Sequence, residues 1–200
     1  MKIISNHITL CIILLSLFGC SQSLIVITNI PSPLVEQLSD TKVLVKYDEN
    51  IINYQFKSTN IEANESPWVI EFNDSHKKLF DQVLNSFFSE LIQIETMDES
   101  LDDSEYIKIN IKLDKFEFLT PSLASNDNYS VWLKYTIEVK NEKTEYSKKW
   151  VITGYGEQGT ASLNQNKALI NAIDLAIRDT GANLTIKIEK EMDFIIGTIN

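Results

Sequence analysis

The sequence predicts an α+β fold, a two-layer sandwich in which a mostly antiparallel sheet carries two helices on one face. Three observations lead there. Apolar side chains alternate with polar ones in several short runs, the signature of half-buried strands. Two other stretches place apolar residues at i, i+3, i+4 and i+7, the period of amphipathic helices. The runs follow one another as strands, helix, three strands and helix, a segregated order that favours α+β over a parallel α/β architecture. With 200 residues, 44% apolar and 10% aromatic, the composition is that of a globular chain and lies outside the disordered range.

Val43, Val45 and Tyr47 form a first short strand, and Tyr54 with Phe56 predicts a return strand after the polar Asp48-Glu49-Asn50. Trp68, Ile70 and Phe72 form the next. Asp74 and Ser75 are N-cap residues before a helix expected over His76–Ile92, whose apolar face comprises Leu79, Phe80, Val83, Leu84, Phe87, Phe88 and Leu91. Ile107, Ile109, Ile111 and Leu113 alternate in a strand until Phe116 and Phe118 take the opposite parity, which predicts a bulge near Asp114-Lys115. Val131 through Val139 and Tyr146 through Tyr155 then form a hairpin across Asn141-Glu142-Lys143. A final helix begins near Asn164 and carries Leu169, Ile173, Ile177, Leu184 and Ile188. Its small residues Ala168, Ala172 and Ala176, four apart, permit close approach to the sheet, and Gly181 is a candidate bend.

Charge and cysteine usage exclude several functions. The chain has 18 basic and 28 acidic residues and a net charge of −10, so it lacks the basic footprint of a nucleic-acid binder, and no nucleic-acid partner is expected. Its two cysteines, Cys11 and Cys20, both fall in the first apolar stretch. The rest of the chain therefore has no thiol for a disulfide, a zinc site or a nucleophile.

Residues 1–19 read as a signal peptide, with Lys2 in a short n-region and an apolar core from Ile8 to Phe18. The apolar run is too short to span a bilayer, which takes about 20 residues. Leu17-Phe18-Gly19-Cys20 resembles the bacterial lipobox, although Phe18 departs from the usual small or β-branched residue. That resemblance implies cleavage between Gly19 and Cys20, lipid on the Cys20 thiol and acylation, as by palmitate, of the new amino group. Two other readings are a cleaved signal whose cysteine falls there by accident and an uncleaved anchor from Ile8 to Ile30. Two or more acyl chains give stable anchoring where one holds only marginally. Ser21 rather than Asp after the cysteine implies, by the same resemblance, sorting to the outer membrane with the domain facing the periplasm. Cleavage removes Lys2 and no acid, leaving the mature chain one unit more negative.

Residues 20–40, with Pro31, Pro33 and no aromatic, read as a lipid-anchored tether that could reach on the order of 70 Å when extended, unless Leu24–Ile30 docks on the domain. Residues 41–200 then form a single α+β domain.

No motif points firmly to chemistry. Gly154-Tyr155-Gly156-Glu157-Gln158-Gly159 matches G-x-G-x-x-G, but it follows an antiparallel hairpin and lacks the βαβ unit and the second-strand acid of a dinucleotide site. A strand-to-helix loop is expected instead. Ser75-His76-Lys77-Lys78 contains S-x-x-K without the companion motifs of penicillin-recognising enzymes. His76 is the one histidine left after signal cleavage and is expected on the surface at a helix N-terminus. The carboxylates from Glu95 to Glu105 lack the spacing and turn glycine of a calcium loop and read as a solvated acidic loop. No catalytic residue, metal site or cofactor is assigned. Trp132 lies on the polar side of its strand beside Lys134, Thr136 and Glu138, which marks either a contact surface or packing beneath a loop such as 119–129.

The pattern resembles uncharacterised outer-membrane lipoproteins of Gram-negative bacteria. The resemblance rests on the lipobox, Pro33-Leu34-Val35-Glu36, Asn53-Tyr54, Leu79-Phe80, Tyr129–Tyr135 with Trp132, and Trp150 through Gly156 followed by the alanine-bearing helix. More distantly it is similar to the small α+β lipoproteins of lipopolysaccharide assembly and curli secretion. That kinship implies a non-enzymatic, membrane-anchored accessory that binds an envelope protein in assembly, transport or maintenance. The alternative is a lipid- or glycan-binding accessory subunit of an envelope transporter.

Overall fold

The computed structural model describes residues 22–58, 67–97, 106–124, 126–161 and 164–198. The signal peptide, Gly19, Cys20 and most of the acidic run up to Glu105 lie outside the described residues. In chain order the elements are β1 (Gln22–Ile25), β2 (Leu38–Tyr47), β3 (Gln55–Lys57), β4 (Trp68–Glu71), α1 (Ser75–Phe87), β5 (Phe88–Ile94), β6 (Ile107–Leu119), α2 (Pro121–Ala124), β7 (Asn128–Asn141), β8 (Tyr146–Gly159) and α3 (Gln165–Ile196).

The α+β class is as predicted. Five strands form the main sheet in the order β5-β2-β6-β7-β8, and three form a small sheet in the order β1-β4-β3. The long β6–β7 and β7–β8 ladders are antiparallel, while β2 pairs in parallel with both β5 and β6, so the sheet is mixed along its length. Parallel neighbours require a crossover, and the β2-to-β5 crossover carries α1. Both long helices and the small sheet cover one face of the main sheet. The other face is open along β7 and β8, where Trp132, Val151 and Tyr155 are exposed, and buries Leu44 on β2.

β6 shows how patterning sets register. Ile107, Ile109, Ile111 and Leu113 face the core, and the register against β7 slips between Leu113 and Lys115. The slip brings Phe116 and Phe118 back to the core side, where the rings of Phe56 and Phe72 on the small-sheet side meet Phe116 at 5.1 and 4.9 Å. Opposite the bulge, Thr136 donates a hydrogen bond to Asp114 (2.6 Å).

The predicted helix over His76–Ile92 is too long. α1 ends at Phe87, and Phe88, in extended conformation (φ −111°, ψ 144°), starts β5 against β2. No glycine or proline marks this stop. The Gln37 side-chain amide instead donates to the carbonyls of Asn85 (3.0 Å) and Phe88 (3.1 Å), satisfying groups that the helix end leaves free. The strand at Tyr54–Phe56 also differs from expectation: β3 pairs antiparallel with β4 instead of returning along β2.

The segment expected as a tether packs on the domain. β1 pairs in parallel with β4, and Leu24 and Val26 are buried. From there the chain straps along α1. Ser75 donates to the Val26 carbonyl (3.0 Å), Gln82 bonds Ser32, and Gln37 reaches Asn85.

α3 is held against β8 at very short range. Gly154 and Gly156 lie inside β8 rather than in a strand-to-helix loop, and each faces the α3 backbone. A β-carbon at Gly154 would strike the Ala176 carbonyl and the Thr180 hydroxyl; one at Gly156 would strike the Ala172 carbonyl. The alanine stripe and the two glycines thus form one interface, and the glycine pattern is accounted for by packing. Gly181 does not bend α3, which runs unbroken. It lies beneath Leu79 of α1, whose Cδ1 would sit 3.1 Å from an added β-carbon.

Gly154→Ala and Gly156→Ala are therefore each expected to lower the unfolding free energy by about 1–3 kcal/mol or more, the cost of overpacking a rigid contact. Gly159→Ala meets only the end of the Asn128 side chain and should cost less. Urea denaturation of the three variants checks the order.

Candidate functional site

The described residues offer four features from which a function could be built: the open sheet face, a groove beneath the strap, a polar depression beside the β7–β8 turn and a buried histidine.

On the open face, strand alternation brings Trp132 of β7 opposite Glu117 of β6 and Tyr155 of β8. The Trp132 and Tyr155 rings lie 5.3 Å apart at 46°, and the residues stay 39% and 42% exposed. Tyr155 is fixed by its hydroxyl, which donates to Glu157 (2.6 Å), and Glu157 also accepts from Asn128. These two hydrogen bonds, the tyrosine's first, hold the Glu157 carboxyl below the usual carboxylate range. Val151, on the same side of β8, is also exposed. The face thus presents a braced aromatic pair within a polar surround, the composition of a protein-contact patch.

A groove of about 340 Å³ runs between the strap and the two long helices. Ile30, Pro31 and Pro33 line one side; Val83, Ala182 and Ile186 line the other. Arg178 also borders it, its guanidinium paired with Asp174 at 2.9 Å. A more polar depression of about 480 Å³ lies between the β7–β8 turn and the end of α3, near Lys143, Tyr146, Lys148 and Phe194. Beside it, Glu191 accepts from Lys148 (2.7 Å), Lys187 (2.8 Å) and Tyr146 (3.0 Å), and these bonds bring its carboxyl down to about 2. This cluster ties the last turns of α3 to β8.

His76 is not on the surface. Its side chain is in the core, stacked on Phe72 at 4.5 Å, with Nδ1 2.7 Å from the Tyr135 hydroxyl. Nε2 has no hydrogen-bond partner among the described residues. Burial pulls the imidazole down to about 3, so it stays neutral at physiological pH. The helical period contains the signal for this position. His76 stands three and four residues before Leu79 and Phe80, on the apolar face of α1. Ser75, expected as a cap, instead donates its hydroxyl to the Val26 carbonyl, and the capping residue Asp74 makes no side-chain cap bond.

Among the described residues, no cluster of three or more His, Cys, Asp or Glu side chains is placed to hold a metal ion, and no helix is long and apolar enough to cross a membrane.

No family model matches this chain, and no curated protein does. Solved structures are similar to it. Protein XCC0632 from Xanthomonas campestris, of family DUF330, superposes with a TM-score of 0.50 at 12% identity, covering 87% of this chain and 98% of that one. At that identity the likeness shows a shared fold and nothing further. A candidate lipoprotein from Caulobacter crescentus matches with a TM-score of 0.34 at 8% identity over 47% of this chain and 70% of that one. A candidate neuraminyllactose-binding hemagglutinin homolog from Helicobacter pylori matches with 0.40 at 11% over 86% and 98%. Scores this low carry no argument.

The buried histidine makes stability depend on pH. In the unfolded chain His76 takes up a proton near pH 6.5; in the fold it does so only near 3. Below 6.5 the unfolded state therefore binds the extra proton. His76 thus contributes a loss of about 1.4 kcal/mol per pH unit between pH 6.5 and 3. His76→Phe should flatten this slope relative to the wild type, as read by urea unfolding at several pH values.

Proposed function

We propose that this chain is a bacterial envelope lipoprotein, cut between Gly19 and Cys20, acylated at Cys20 and held in the outer membrane with its domain facing the periplasm. The domain is not an enzyme. It is a binding module for an envelope protein partner in assembly, transport or maintenance. The observation that carries this reading is the exposed, braced Trp132–Tyr155 pair on the open sheet face. Aromatic side chains with restrained rotamers contribute large contact area at low entropic cost and concentrate binding energy at interfaces. The location of His76 supports a non-catalytic role: the one histidine of the mature chain is sealed in the core, where no solvent-borne substrate reaches it. The lipobox supports the anchor, and the net charge of −10 argues against nucleic acid as the partner.

A second reading, an accessory that carries a lipid or glycan for a transporter, is favoured by the groove beneath the strap. At about 340 Å³ it falls within the range of small-ligand sites, roughly 300–1,000 Å³, and its lining is largely apolar.

Cross-linking of the lipidated protein in its native envelope separates these readings. The protein-binding role predicts discrete adducts that disappear in a Trp132→Ala, Tyr155→Ala double variant whose urea unfolding stays within about 1 kcal/mol of wild type, as expected for exposed positions. Adducts that persist in this variant would remove the open face from consideration. The ligand-carrier role predicts that native mass spectrometry finds bound lipid or glycan in the wild type and loses it in Ala182→Trp, which fills the groove.

A further inference from the structure

The N-terminal strand enters the domain at one end. β1 begins at Gln22, in register with Trp68. The Trp68 ring meets Phe118 at 5.9 Å and Tyr129 at 6.4 Å, edge-on in both cases. Phe118 is one residue from the end of β6 and Tyr129 one residue from the start of β7. Gln22 therefore lies over the β6–β7 connection, at the opposite end of the sheet from the β7–β8 turn.

The chain segment at this end carries little charge. Between Leu119 and Tyr129 the only charged residue is Asp127, in a chain with 28 acids. Leu119 and Leu123 turn apolar side chains to solvent, at 38% and 44% exposure. Leu123 is held on the short α2 by its N–H, which donates to the Thr120 carbonyl (3.1 Å).

We propose that this end of the domain rests directly on the lipid bilayer, with Leu119 and Leu123 in contact with the headgroup layer. The proposal rests on acylation of Cys20. Only Ser21 stands between Cys20 and Gln22, and an extended chain spans at most about 7 Å over those two steps. Because β1 and the strap are docked, no slack remains, and the domain cannot stand off from its anchor. An acidic protein pressed onto an anionic leaflet is repelled wherever it presents carboxylates; the 119–129 segment carries one, Asp127, and the neighbouring Glu157 carboxylate is engaged by Asn128 and Tyr155. The long strands of β7 and β8 then rise from the membrane toward the turn at 142–145. The Trp132–Tyr155 face looks sideways, toward a partner standing in the same membrane.

The test uses the full, acylated chain in vesicles of phosphatidylethanolamine and phosphatidylglycerol. An environment-sensitive fluorophore is attached at Leu123→Cys or, as the far-end control, at Lys143→Cys, and headgroup-labelled nitroxide lipid is the quencher. The expected result is loss of most emission at position 123 and retention at position 143. Equal quenching at the two positions, or none at either, in protein whose Cys20 peptide carries its acyl mass overturns the bilayer contact and leaves the lipoprotein reading standing. A Cys20 peptide without acyl mass overturns both.

Discussion

The architecture depends on one close contact, the seating of α3 on β8 where Gly154 and Gly156 admit the backbone of Ala172 and Ala176. Interiors pack at crystal-like density, so removing two β-carbons from the strand and keeping only methyl groups on the helix sets the helix height above the sheet. The rest of the helical layer takes its position from there. α1 leans on α3 where Leu79 covers Gly181, and the strap in turn lies along α1 through Ser75, Gln82 and Gln37. The groove under the strap is the space left where three elements, each positioned by the last, do not quite meet.

The same layering explains why the two faces of the main sheet have different chemistry. One is committed to a core that includes Tyr135, His76 and the Phe72–Phe116 ring pair. Because the helices and the small sheet lie on that side, the open face is where the long strands show a large side chain to solvent. Trp132 is there because strand alternation puts it there, and Tyr155 stays beside it because Glu157 holds its hydroxyl. Polar neighbours such as Lys134 and Glu138 keep the surrounding face soluble.

Sequence periodicity carried much of this. The β6 bulge was legible because a parity change within one strand has no other inexpensive explanation. The β7–β8 hairpin and the alanine stripe were legible because both are local patterns. The end of α1 was not, because the group that caps it, Gln37, lies 48 residues away from Asn85, and the apolar period runs on through Phe88 and Leu91. The docking of Gln22–Ile25 is likewise non-local: nothing in those four residues specifies β4 as a partner. The burial of His76 is hard to read from sequence for a different reason. A histidine near a helix start is usually solvated, and that tendency competes with its place on the apolar stripe of α1. Trp132 was legible as a candidate contact residue, but its braced partner, Tyr155, was obscured by the glycine motif that contains it.

The strap also determines how the molecule bears load. Tension applied from the N-terminal side of Gln22 first loads the short parallel ladder between β1 and β4, four residue pairs long. Beyond them the strap is held by the buried Val26, by the partly buried Ile30 and Val35, and by isolated hydrogen bonds involving Ser75, Gln82 and Gln37. Such segments open at a fraction of the global unfolding free energy. A pull would therefore release about 15 residues of chain, and on the order of 50 Å of length, while the main sheet and α3 stayed intact. The strap would yield before the core and lengthen the attachment without unfolding the domain.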